Sequence, residues 1–98
     1  MKRVIFRREA RADALEGYRW YESKEPGLGA QFRAELWAAV HRIRESPTAY
    51  RVLHRDTRRV RLHRFPYGVF YREYGDAIVV VAVMHARRHP NKWKRRQG

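Results

Sequence analysis

The segment from Ala77 to Met84 is apolar at every position, and five of its eight residues are β-branched. A strand with one face in water alternates apolar and polar residues, whereas a strand buried on both faces has no need of polar positions. We therefore predict that Ala77 to Met84 forms an interior strand, covered on both faces, and that it lies at the centre of a sheet.

The remaining apolar patterns predict an α+β fold. They indicate a strand over residues 3–7, helices over 9–24 and 28–45, and strands over 58–63, 68–74 and 77–84. The second helix carries Phe32, Leu36 and Val40 on one face, and the Pro26-Gly27 break is so short that the helices should form an antiparallel hairpin. The expected order is β-α-α-β-β-β, with the helical hairpin packed on one face of a small, mostly antiparallel sheet.

The length of 98 residues supports one domain, residues 1–98, of which 94–98 could remain a loose basic end. Residues 46–98 hold thirteen Lys or Arg against three Asp or Glu, a balance of +10 out of the net +13. Such a field attracts nucleic acid, an anionic membrane or an acidic protein.

Several classes of protein are disfavoured by composition. The chain has no cysteine, which excludes disulfides and thiolate metal sites. The five histidines lack the spacing of a metal site, so we predict neither a metal nor a cofactor. No apolar run approaches the roughly 18 residues of a membrane span, and the basic start is no secretory signal. We therefore expect a cytoplasmic protein without a membrane partner.

Four segments together resemble the RelE/ParE superfamily of bacterial type II toxins, over about residues 3–93. They are ARADALEGYRWYES, AQFRAELWAAVHRIRESP, RRVRLHRFPYGVFYREYGDAIVVVAVMH and the ending HARRHPNKW. The resemblance implies a microbial-RNase-like sheet, growth inhibition and a role in plasmid stabilisation. It also implies a hetero-oligomer with a cognate antitoxin, whose acidic and apolar C-terminal segment should add a strand or helix to the toxin.

The superfamily has two functional branches. RelE-like members cleave messenger RNA on the ribosome, and ParE-like members poison DNA gyrase without cutting RNA. Cleavage needs a general acid, a general base and cations around one phosphate. The candidates, if the chain is a ribonuclease, are His85 as acid, Arg59, Arg61 and Arg87 as phosphate ligands, and Tyr71 or Trp93 as a stacking platform.

No residue stands in a convincing position for the general base, since residues 46–85 contain no Lys and few carboxylates. Together with the His-x-Arg-Arg-x-Pro ending, this favours a ParE-like gyrase poison that is not itself an enzyme. Three alternatives stay open: a RelE-like mRNA endoribonuclease, a nucleic-acid-binding module without catalysis, and an inert homologue that only binds its antitoxin. His85 could also be purely structural, and Arg59 and Arg61 could be a solvated edge strand.

Two sets of residues are predicted to make contacts. The candidates for target or nucleic-acid binding are Arg59, Arg61, Arg87, Arg88, Lys92 and Trp93. The candidates for antitoxin binding are Trp20 and Trp37, which fall off the apolar helix stripes, with Arg59 and Arg61. His85 and Arg87 are expected at a rim beside the strand of Arg59 and Arg61.

Overall fold

The structure, a computed structural model, describes residues 2–87 and 91–97. Its elements are β1 (Arg3–Phe6), α1 (Arg8–Lys24), α2 (Leu28–Glu45), β2 (Val52–His54), β3 (Thr57–Arg61), β4 (Tyr67–Tyr74), β5 (Ala77–His85) and a C-terminal 3-10 helix (Lys92–Gln97). The strands form one sheet in the order β1-β5-β4-β3-β2, with β1 parallel to β5 and the other pairs antiparallel. The predicted α+β fold, with a helical hairpin on a mostly antiparallel sheet, is confirmed.

The sheet differs from the prediction in two details. A short edge strand, β2, was not predicted, because three residues of mixed polarity carry no periodicity. The middle strand is β4 rather than β5, although β5 is interior, between β1 and β4.

The helical hairpin is held together by close contacts between its two helices. Gly17 of α1 faces the Phe32 ring so closely that a Cβ there would lie 2.7 Å from Phe32 Cζ. The α2 N-terminus has no side-chain cap of its own, and the Glu22 carboxylate serves instead. It accepts hydrogen bonds from the Gly27 and Gly29 amides, at 3.0 Å each. These contacts fix the hairpin as one layer.

The sheet buries side chains on both faces. The helical face, covered by α1 and α2, holds one core cluster that includes Val60, Val69, Tyr71, Ile78 and Val80. The opposite face, called the outer face below, holds a second cluster of Phe70, Val81, Ala82, Met84 and Trp93. Strand β5 contributes to both clusters, which confirms that it is buried on both faces.

The C-terminal 3-10 helix covers the outer face. Trp93 is buried and stacks on the Phe70 ring, with 4.6 Å between centroids. Arg96 pairs with Asp13 of α1 at 2.6 and 3.2 Å, and Arg7 donates a hydrogen bond to the Arg96 carbonyl. Of the expected loose end, residues 94–97 lie in this 3-10 helix and Gly98 lies outside the described residues.

No helix in the described part of the chain combines the length and apolarity needed to cross a bilayer.

Candidate functional site

An open groove runs between β1 and the two helices, and its volume is about 910 Å³. Phe6, Tyr18 and Phe32 are among its lining residues. Leu15 and Trp37 also line it, with 44% and 57% of their surface exposed. Because β1 is an edge strand of only four residues, the space between the helical hairpin and this edge of the sheet stays open. We call this surface the apolar groove.

The apolar groove has basic side chains among its lining residues. Arg11, Arg33, His41 and Arg44 all contribute to it. The Arg33 guanidinium lies 4.3 Å from the centre of the Tyr18 ring, and the Arg44 Nε is buried with no hydrogen-bond acceptor among the described residues. A ligand that suits this groove therefore has apolar side chains and carries acceptors or negative charge.

A second candidate surface lies on the outer face, along β3. Side chains alternate along a strand, so Arg59 and Arg61 point away from Val60, which is in the helical-face core. They pair across the ladder with Phe70 and Gly68 of β4. Arg51, just before β2, lies close enough for its charge to act on Arg59. We call Arg51, Arg59 and Arg61 the basic sheet face.

The basic sheet face is a cluster of like charges. Partial burial, and then the neighbouring charges of Arg61 and Arg51, lower the pKa of Arg59. None of the three side chains forms an ion pair with a carboxylate in residues 2–87 and 91–97. Nearby Asp56 instead lies 3.7 Å from the Arg72 guanidinium.

His85 lies on the other side of the sheet. Its ring contacts the Tyr67 ring edge to face, with centroids 5.6 Å apart, and Tyr67 belongs to the helical-face core. It lines a small pocket with Asp13 and Glu16 of α1, and its Nδ1 accepts the Arg87 amide at 3.1 Å. The expected rim is therefore not assembled: His85 occupies the same end of the sheet as Arg61 but the opposite face.

The aromatic candidates for base stacking are inside the protein. Tyr71 is fully buried and its hydroxyl donates to the Pro47 carbonyl at 2.6 Å. Burial raises the pKa of Tyr71 to about 12. Trp93 is 6% exposed, because its ring stacks on Phe70 of the outer face. Neither ring offers a free face to a nucleobase.

The remaining predicted contacts are dispersed. Trp20 is 42% exposed and packs against Tyr21 on α1, outside the apolar groove, whereas Trp37 lines it. Arg87 and Lys92 are exposed near His85, and Arg88 lies outside the described residues.

Within residues 2–87 and 91–97, no three His, Asp or Glu side chains lie close enough together to hold a metal ion.

Comparisons with known proteins agree with this architecture. The family model described as "ParE toxin of type II toxin-antitoxin system, parDE" matches residues 4–90. Toxin ParE2, from two strains of Mycobacterium tuberculosis, is 30% identical over 80 residues, which is 81% of this chain and 76% of that protein.

A solved structure titled "Chromosomal ParDE TA system from P. aeruginosa" superposes with a TM-score of 0.78 at 20% identity. The alignment covers 87% of this chain and 96% of that one, and shows that the two share a fold. With the family match and the ParE2 relative, the conclusion is direct: this chain belongs to the ParE toxin family of type II toxin–antitoxin systems.

Proposed function

We propose that this chain arrests bacterial growth by poisoning DNA gyrase, and that a cognate antitoxin neutralises it by filling the apolar groove. The observation that carries the proposal is this large, open and apolar groove in a member of the ParE family. An open apolar groove beside a helical hairpin can accept an amphipathic segment of a protein partner. The solved structure that shares this fold is titled as a toxin–antitoxin system. We therefore expect an antitoxin to occupy the apolar groove.

The chemistry of the apolar groove defines the antitoxin segment that would fit. Leu15 and Trp37 offer exposed apolar surface, while Arg33 and Arg44 supply cationic donors. An amphipathic helix with leucine-like residues on one face and carboxylates at its margin matches both. The outer edge of β1 carries no partner strand in the described sheet, so an extended stretch of the same antitoxin could add a strand there.

Two tryptophans give a matched test of this binding site. Trp37→Ala removes the most exposed aromatic side chain of the apolar groove, and Trp20→Ala removes one of similar exposure outside it. Central tryptophans of an interface contribute about 2 kcal/mol or more. We therefore expect Trp37→Ala to weaken antitoxin binding at least about tenfold and Trp20→Ala less than about threefold, in calorimetry with the purified pair.

Equal losses of antitoxin affinity in the two variants would show that the antitoxin binds outside the apolar groove. Unchanged antitoxin affinity in Trp37→Ala would show the same. Circular dichroism and urea unfolding of each free toxin variant control for loss of fold. Since Trp37 is 57% exposed, its truncation should leave the stability of the free toxin nearly unchanged.

The choice of gyrase over messenger RNA rests on the arrangement of the ribonuclease candidates. Cleavage by 2′-hydroxyl attack requires an acid, a base and cations within hydrogen-bond reach of one phosphate. His85 contacts Tyr67 on the helical face, Arg61 belongs to the outer face, and Tyr71 is buried. An enzyme-poisoning mechanism needs a docking surface rather than a converged catalytic group, so this arrangement supports it. Gyrase would place the working compartment in the cytoplasm.

The target can be identified with purified toxin in two parallel reactions. One contains gyrase, ATP and supercoiled plasmid; the other contains ribosomes with a bound messenger RNA. We expect linear plasmid to accumulate only when gyrase is present, antitoxin to suppress it, and the RNA to remain intact. RNA cleavage that disappears in His85→Ala or Arg61→Ala would overturn the gyrase proposal in favour of a RelE-like endoribonuclease.

A further inference from the structure

We propose that the basic sheet face, Arg51, Arg59 and Arg61, is a binding site for the phosphodiester backbone of a nucleic acid. This surface is separate from the apolar groove, and the inference does not depend on gyrase being the target. It goes beyond the antitoxin function because it assigns this ParE-family toxin a direct contact with nucleic acid.

The composition of the outer face distinguishes it from a protein-docking surface. Protein interfaces have an apolar centre and a polar rim. On the outer face the apolar residues Phe70 and Met84 are already buried, because the C-terminal segment covers them with Trp93. The groups that a partner would meet along β3 are the guanidinium groups of the basic sheet face. Nucleic-acid interfaces have this character, being polar and strongly positive.

The basic sheet face is also pre-organised. The aliphatic stem of Arg59 lies across β4 at Gly68, where a Cβ would come within 2.8 Å of Arg59 Cδ. Only glycine at position 68 allows this path. Arg59 is thereby held half-buried against the sheet, and its head group has lost much of the freedom that a surface arginine keeps. Binding an anion at a positioned guanidinium costs less ordering entropy than at a mobile one.

The electrostatics of the cluster favour an anion from outside the protein. Three positive charges lie together with no carboxylate partner among the described residues. A phosphate neutralises this repulsion and takes up the paired N–H donors of a guanidinium. Contacts of this kind carry no base sequence, so the expected binding is independent of sequence and strongly dependent on salt.

The experiment measures anisotropy of fluorescein-labelled 20-nucleotide probes, one of double-stranded DNA and one of single-stranded RNA, across a series of salt concentrations. Arg59→Ala/Arg61→Ala is compared with Arg8→Ala/Arg19→Ala. The control removes the same charge from exposed positions of α1. We expect the first double variant to weaken binding at least about tenfold and the control less than about threefold. The slope of log K against log salt should fall by about 1.8 for DNA, or about 1.4 for RNA.

Gly68→Ala provides a second, charge-neutral variant. It displaces Arg59 while leaving the net charge at +13, so a loss of several-fold in affinity is expected. The probe that shows the larger loss on Arg59→Ala/Arg61→Ala identifies DNA or RNA as the source of the backbone.

Equal losses in the Arg59/Arg61 and Arg8/Arg19 double variants would overturn the inference, because net charge alone would then explain binding. Retained affinity in the Arg59/Arg61 variant would overturn it as well. The affinity of the Arg59/Arg61 variant for the antitoxin, measured in the same preparations, should remain at the wild-type value. Failure of the nucleic-acid proposal can therefore be distinguished from failure of the groove proposal.

Discussion

The ion pair between Asp13 and Arg96 ties the C-terminal 3-10 helix to α1, and its strength can be predicted from its surroundings. Both side chains are 15% exposed, and the guanidinium makes two contacts with the carboxylate, at 2.6 and 3.2 Å. Asp13 Oδ2 also accepts the Val83 amide at 3.0 Å. Asp13 thus holds the C-terminal segment and one backbone group of β5 at once.

The expected magnitude lies between two known limits. Solvent-exposed pairs contribute about 0.2–1 kcal/mol, whereas removing one partner of a fully buried pair costs about 3–5 kcal/mol. At 15% exposure with a bidentate contact, we expect a coupling free energy of about 1.5–2 kcal/mol between Asp13 and Arg96. Asp13→Ala should cost about 3 kcal/mol in total, because the Val83 amide also loses its acceptor, at about 1 kcal/mol.

A double-mutant cycle tests this value. Urea unfolding of the wild type, Asp13→Ala, Arg96→Ala and the double variant gives the coupling free energy directly. Hydrogen exchange separates the two roles of Asp13: the Val83 amide should exchange faster in Asp13→Ala and nearly as in the wild type in Arg96→Ala. A coupling below about 0.5 kcal/mol would refute the reasoning, since the pair would then behave as a solvent-exposed one.

Three further predictions concern single residues of α1, α2 and β4. Burial alone would raise the pKa of Glu35, but hydrogen bonds from Arg64 and from the backbone of residues 63 and 64 outweigh it and lower that pKa. This stabilisation is present above the usual glutamate pKa of about 4.3 and disappears as pH falls through the folded value. Glu35→Gln should therefore cost about 0.5–1 kcal/mol at pH 7, because Arg64 is 62% exposed, and it should flatten the acid limb of urea unfolding against pH. Since the pKa of Tyr71 is raised to about 12, its contribution should persist up to about pH 10 and then decline as pH approaches the folded value. Ultraviolet titration should detect the late ionisation, and Tyr71→Phe should abolish it and cost about 1–2 kcal/mol. Gly17→Ala should cost about 1–3 kcal/mol in urea unfolding, because its Cβ would meet the Phe32 ring.

Local patterns were sufficient to predict most of the fold. The second helix was predicted with its observed bounds because its apolar stripe and the flanking Gly27 and Pro47 are local signals. The short strand β2 and the 3-10 helix have no such signal, since tertiary contacts create them. Trp93 was predicted to contact a target, and the sequence could not show that its ring stacks on Phe70.

The candidate site was predicted less completely, for the same physical reason. Trp37 was selected because it departs from the core stripe, and it does line the apolar groove. The sequence did not predict that Leu15 lines the apolar groove or that Arg51 lies close to Arg59, because membership of a surface depends on elements distant in sequence. The face on which His85 lies could not be predicted from the sequence either. Alternation along β5 is interrupted at a point that the sequence does not reveal.

That interruption is a single residue. Phe70 pairs with Ala82 and Tyr71 pairs with Val80, so Val81 is an extra residue with no opposite number in β4. Before it, even-numbered residues of β5 face the helices; after it, odd-numbered ones do. If β5 instead alternated regularly through Val81, the parity would not change, and His85 would lie on the outer face with Arg59 and Arg61. On this scaffold, one β-bulge is enough to separate a histidine from a cluster of arginines, so the combination of groups that phosphodiester cleavage needs can be lost with every side chain still present.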